Sequence, residues 1–243
     1  MIETDDDIAR ALTSLQAADP RLIRVVAVAD AVTLRRSEAG LRGLCATIVA
    51  QQVSKASADA IFKRLAALVD LTQAEAILAA SDDDLRAAGL SRPKQRTLRA
   101  IAEAITEGRL DFDHIANLPA ADAIAQMSAV HGIGTWTAEC HLLFSHGHED
   151  VFPAGDLALQ IAVAHGLDMP ERPKEKPLRA IAELWAPHRS VAARLFWAYY
   201  HAVTRRDAAP VEPPLDSKAV KSGGKPARPP QTRSAQGFTK ATR

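Results

Sequence analysis

The run Val130-His131-Gly132-Ile133-Gly134-Thr135-Trp136-Thr137-Ala138 places two glycines one residue apart between two stretches of helical apolar spacing. Glycine takes positive φ without a Cβ penalty, so the pair permits a tight turn and lets backbone approach a ligand closely. The turn opens into a helix whose first N–H groups lack intrahelical partners, which suits one phosphate. A plain turn between two helices fits the same pattern. Twenty positions beyond Trp136, Asp156 follows the loop Val151-Phe152-Pro153-Ala154-Gly155 and precedes the apolar helix that starts Leu157-Ala158-Leu159. An aspartate there is an ordinary N-cap. It can also turn one oxygen towards a cleft and stabilise positive charge that develops in a reaction.

Other residues offer chemistry around this pair. Trp136 presents an electron-rich face for stacking an electron-poor ring, and Cys140 lies one turn along the same helical face. Trp185 and Trp197 sit in apolar helical patterns and read as core. Cys140, His141, His146 and His148 lack the paired spacing of a zinc site, so no metal is expected there. Arg92, Lys94, Arg96 and Arg99 form a basic run near a helix start, suited either to phosphates or to a solvated face.

These groups need helices to hold them. Asp5 to Ala18 reads as a first helix closed by Pro20, and Leu41 to Leu68 as two helices broken near Val53-Ser54-Lys55, with Ser54 able to cap the second. Short helices are expected over Thr72–Ala79 and Ser81–Ala87, the latter capped by Ser81 and followed by acids that favour its dipole. Lys94 to Glu107, Pro119 to about Val130, Thr135 to Ser145, Asp156 to His165, Pro177 to Trp185 and Ser190 to Thr204 complete an all-α pattern. The short connections suit a compact helical protein.

Composition agrees with that class. Of 243 residues 47% are apolar and 5% aromatic. Alanine is abundant and runs of β-branched residues are few. Two cysteines, Cys45 and Cys140, supply neither a disulfide framework nor a four-cysteine cluster, and the acidic start is wrong for a signal peptide. The expectation is a cytoplasmic monomer, associated with the nucleoid in a bacterium, with no membrane contact. The net charge is +1, but seven Lys/Arg against two acids from Ala208 onward leave the rest of the chain net acidic. Residues 208–243 read as a disordered basic tail, either a weak DNA tether or a solubilising extension.

Taken together, the hairpin, Asp156 at its interval, Ala50-Gln51-Gln52-Val53-Ser54, Gly89-Leu90-Ser91 before a basic helix, and Trp185-Ala186-Pro187-His188-Arg189-Ser190 resemble the helix-hairpin-helix DNA glycosylase superfamily. The resemblance spans about Leu41 to His201. Within the superfamily the pattern is similar to the DNA-3-methyladenine glycosylase II family, in a short form lacking the N-terminal β-domain. It implies two helical lobes flanking a DNA-binding cleft, residues 1–30 plus 119–207 forming one and 31–118 the other, with the hairpin 131–134 at their junction.

The resemblance further implies a monofunctional glycosylase that flips alkylated purines out of double-stranded DNA, with no organic cofactor. Asp156 would stabilise the oxocarbenium-like transition state and Trp136 and Cys140 would line the base pocket. Gln51, Gln52, Ser54, Lys94, His131, Gly132, Ile133, Gly134 and Thr135 would meet DNA, and the hairpin carbonyls would be able to hold a monovalent cation. Gln52 stands at the intercalating position, although an amide pair that ends a helix fits the sequence too. Lyase members carry a lysine where this chain has Trp136, so no Schiff-base strand cleavage is expected. A glycosylase for deaminated or mismatched bases and a non-catalytic hairpin module stay open alternatives.

Overall fold

The computed structural model describes residues 1–205; the basic tail expected over 208–243 lies outside the described residues. Among the described residues the chain forms thirteen α-helices. In order they are α1 (Asp5–Ala18), α2 (Leu22–Val28), α3 (Gly40–Ala50), α4 (Lys55–Leu68), α5 (Ala74–Ala79), α6 (Asp82–Ala88), α7 (Arg92–Thr106), α8 (Phe112–Ala116), α9 (Ala120–Ser128), α10 (Thr135–His141), α11 (Leu157–Gly166), α12 (Glu175–Ala182) and α13 (Arg189–Thr204). A π-helical segment, Leu142–His146, continues α10, and a 3₁₀ turn, Glu183–Trp185, continues α12.

Local chemistry explains many of the boundaries. Thr4 with Asp7, and Ser81 with Asp84, form reciprocal capping boxes on α1 and α6. Ser54 accepts from the Ser57 amide and starts α4, and Gly89 ends α6 in the left-handed region at φ 99°. The sequence pattern did not mark α2 and α8, which are seven and five residues long. Helices that short show too little of the 3.6 period to stand out, and packing stabilises them.

Apolar side chains gather in two cores. One contains Leu44, Ile48, Leu65, Ile77, Leu85, Leu98, Ile101 and Ile115 from α3 to α8. The other joins the two ends of the chain, with Ile8, Leu15 and Val25 packed against Leu159, Trp185, Leu195 and Phe196. Residues 119–138, expected in the terminal lobe, instead send Ala123, Met127, Val130, Ile133 and Ala138 into the first core. The hairpin is drawn there because α10 packs on both α9 and α3. One continuous helical stretch then joins the lobes: Ala138 and Leu142 enter the first core, Cys140, Leu143 and Phe144 the second.

Candidate active site

The hairpin turn is built as two unlike glycines. Gly132 has φ 87°, and a Cβ on it would come within 2.0 Å of the Thr97 hydroxyl on α7. Its lack of a side chain is therefore needed for both conformation and packing. Gly134, by contrast, is extended (φ −86°, ψ 166°) and caps α10. A Cβ there would meet nothing within 4 Å, so its backbone lies open to an approaching group. His131, Gly134 and Thr135 are exposed, whereas the Ile133 side chain is buried and only its backbone is left for a ligand.

Asp156 caps α11: one carboxylate oxygen, Oδ1, accepts from the Leu159 amide at 3.0 Å. Two indoles complete its grip. Trp136 Nε1 donates to Oδ2 at 3.0 Å, and Trp197 Nε1 donates to Oδ1 at 3.3 Å. The carboxylate is thus fixed by three N–H donors from three segments while remaining only partly buried. Charge-assisted hydrogen bonds of this kind preorganise a group for electrostatic work. Trp197 is 3% exposed and does belong to the core, but its N–H places it in the site as well. Trp185 is fully buried and donates to Asp19 at 3.1 Å, away from this cluster.

A cavity of about 240 Å³ shares Trp197 with this cluster and is also lined by Thr33, Arg35, Phe144, Arg194 and His201. Phe144 stacks on Trp197 with ring centroids 5.4 Å apart. The Arg194 guanidinium lies 4.9 Å from the Phe144 centroid and donates to the carbonyls of Arg35 and Leu143 at 3.0 and 3.1 Å. Burial, with Arg36 and Arg35 nearby, lowers its pKa to about 10. Cys140 was expected to line a base pocket, but it has no exposed surface. It is packed in the second core, where the helix passes between the lobes.

The loop between α3 and α4, where a wedge was expected, also differs from expectation. Lys94, expected to meet phosphate, donates to the carbonyls of Val49 and Gln51, each at 2.7 Å. Those carbonyls end α3 without intrahelical partners, and the ammonium satisfies them; partial burial lowers its pKa. The Gln51 amide is likewise taken, donating to Thr137 on α10 at 3.1 Å. Gln52 is left exposed with φ 57°, an uncommon conformation for a residue with a side chain. Ser54 is exposed but engaged as the α4 cap. In the basic run, Arg99 ties α7 to the carbonyls of Leu78 and Ala80 and to Asp82, while Arg92 and Arg96 are exposed.

Among the described residues no group of three or more His, Cys, Asp or Glu is placed to hold a metal ion. No helix among them is long and apolar enough to cross a membrane.

The sequence matches the family described as HhH-GPD superfamily base excision DNA repair protein over residues 45–187. It is 31% identical to DNA-3-methyladenine glycosylase 1 of Schizosaccharomyces pombe over 158 residues, 63% of this chain and 69% of that protein. Among solved structures, a DNA-3-methyladenine glycosidase from Bacillus halodurans superposes with a TM-score of 0.70 at 32% identity, covering 80% of this chain and 90% of the other. The 3-methyladenine DNA glycosylase of S. pombe in complex with abasic DNA gives a TM-score of 0.68 at 27% identity, covering 79% and 95%.

Proposed function

The chain belongs to the HhH-GPD superfamily of base excision DNA repair proteins, and from that premise we propose that it is a monofunctional DNA N-glycosylase excising alkylated purines of the 3-methyladenine type. The observation that carries this reading is the Asp156 carboxylate held by Trp136, Trp197 and the start of α11.

The hairpin grips one phosphate through the open backbone at Gly134 and Thr135. Gln52 fills the gap left in the duplex when a nucleotide is extruded, a step costing roughly a few kcal/mol. The base stacks on the face of Trp136, whose edge is turned to Asp156. As the glycosidic bond lengthens, positive charge grows on the sugar and the fixed carboxylate stabilises it. A cationic alkylated base leaves without strong protonation, so a second carboxylate is not required. Lys94 is occupied by carbonyls and position 136 is an indole, so among the described residues nothing beside Asp156 supplies an amine for Schiff-base chemistry.

The test is base release from methylated duplex DNA by the wild type and by Asp156→Asn, scored separately from strand nicking. The reading requires release by the wild type, loss of it in Asp156→Asn with DNA binding kept, and no nicking without added base or heat. Normal release by the variant would overturn it.

One observation favours a second reading of the substrate. Two guanidinium groups, Arg194 and Arg35, outnumber the one carboxylate, Asp30, around the Phe144 and Trp197 surface, which suits a neutral base bearing a carbonyl acceptor better than a cationic one. A panel of duplexes carrying one damaged base each, deaminated purines included, separates the two.

A further inference from the structure

Arg172, in the loop that joins α11 to α12, is held in place without being neutralised. Its Nη1 donates to Gln160 Oε1 at 2.8 Å. That amide is fixed in turn: Gln160 is 8% exposed, and its Nε2 donates to the Ala154 carbonyl at 2.9 Å, which leaves Oε1 turned towards the guanidinium. The backbone is restrained as well, because Arg172 precedes Pro173, which is buried. The Arg172 side chain is itself exposed, and the neutral Gln160 oxygen is its one bonded acceptor among the described residues.

The same glutamine ties Arg172 to the residues around Asp156. The main-chain N–H of Gln160 donates to the Asp156 carbonyl at 3.0 Å, so one residue bonds Arg172, Ala154 and Asp156. Gly155 and Leu157, on either side of Asp156, are both exposed, which leaves this turn open to an approaching strand. The arginines of the next two helices are already engaged. Arg179 pairs with Glu139 and Glu175, Arg189 pairs with Asp150 and Glu183, and Arg194 is buried on carbonyls. Lys174 and Lys176 are exposed, but no side-chain hydrogen bond places either of them among the described residues.

A sugar that reaches the Asp156 carboxylate brings its flanking phosphates to this turn. The hairpin backbone at Gly134 and Thr135 suits one phosphate; a pre-oriented guanidinium with most of its N–H groups unused suits another. We propose that Arg172 is a DNA-binding residue that contacts a phosphate flanking the extruded nucleotide, with Gln160 holding the guanidinium in position for it. This rests on the reading of Asp156 given above. The contact is to the backbone, so it adds affinity and register and carries no preference among bases.

The experiment measures Kd for an abasic duplex across a salt series, on the full chain, beside single-turnover base release from methylated duplex DNA at saturating protein. Arg172→Gln is expected to weaken binding by about threefold or more and to reduce the slope of log K against log salt by about 0.9. Release at saturating protein should change less than affinity, and Arg172→Lys should keep the slope. Lys176→Gln removes the same charge from α12 and should alter the slope less than Arg172→Gln does. The phosphates flanking the abasic site are then replaced one at a time by uncharged methylphosphonates. One replacement should weaken the wild type and leave Arg172→Gln unaffected, because its contact is already gone. Equal losses in both proteins at every position, or a slope that falls as far in Lys176→Gln, overturns the proposal. A wild type that binds the abasic duplex but releases no base overturns instead the reading on which it rests, so the two failures are told apart.

Discussion

Trp136 Nε1 lies 3.0 Å from Oδ2 of Asp156, so the ring that is proposed to stack the base also orients the carboxylate. The edge of the indole is committed to the acid and its face is left for the substrate. Replacing Trp136 by Phe keeps an aromatic face and removes the N–H. A hydrogen bond to a charged group contributes about 1.5–3 kcal/mol, so base release should slow by about tenfold to a hundredfold with DNA affinity nearly unchanged. Single-turnover kinetics against a binding isotherm check this, and an equal loss in both would show that the ring acts in binding alone.

Asp156 caps α11 and is proposed to stabilise charge on the sugar, and two substitutions separate these roles. Asn caps helices as well as Asp does, whereas Ala costs about 1 kcal/mol. Both variants should lose base release, but only Asp156→Ala should shift the urea midpoint downwards. If Asp156→Asn were equally destabilised, the indole hydrogen bonds to the charged form would carry more of the stability than the cap.

The loop between α3 and α4, proposed as the wedge, gives a third test. Lys94→Met removes the ammonium that satisfies the Val49 and Gln51 carbonyls. Its effect should appear in extrusion: slower release from a fully paired duplex and a smaller defect where the damaged base sits opposite a gap. A phosphate-contact role would instead flatten the salt dependence of binding by about one counterion.

The hairpin glycines should respond differently to alanine. Gly132→Ala meets Thr97 in an unfavourable backbone region, so Tm should fall. Gly134→Ala meets nothing within the fold, so Tm should hold while DNA affinity drops. Thermal melts paired with binding curves distinguish them.

Stability should depend on pH through two buried groups of opposite sense. Burial, aided by the neighbouring His146, lowers the His141 pKa from 6.5 to about 3. The folded state therefore holds fewer protons than the unfolded one, and its stabilisation is full above pH 6.5 and is lost as pH falls towards 3. Burial of Glu139 outweighs its pairing with Arg179 and raises its pKa from 4.5 to about 7. Its contribution is full below pH 4.5 and is lost as pH rises through 7. His141→Leu should flatten the acid limb and Glu139→Gln the rise in instability between pH 4.5 and 7, read from urea unfolding across that range.

Much of this site was legible because its signals are local. The hairpin, the Asp156 cap and the Ser54 and Ser81 caps each declare themselves within a few residues. Trp197 did not, since it reaches Asp156 from 41 positions away on a helix whose apolar pattern fits a core residue equally well. What holds Lys94 was not legible, because charge in a basic run says nothing about which acceptors will stand opposite it; the open end of α3 took it. Cys140 shares a helical face with Trp136, but that face enters the second core as α10 becomes π-helical at Leu142. The Glu139–Arg179 bond had no sequence signature, because it joins α10 to α12 across 40 positions, whereas Glu175 and Arg179 stand at the i, i+4 spacing of one helix face.

The second core is made from both ends of the folded chain, and the bond from Trp185 to Asp19 closes a separation of 166 positions. During synthesis α1 and α2 are made well before α11, Trp185 and α13, the partners that bury them. The lobe built from α3 to α8, whose contacts are more local, can assemble in the meantime. The Asp156 cluster draws Trp197 from α13, so the nascent protein can gain the hairpin proposed to touch DNA before its carboxylate is fully held.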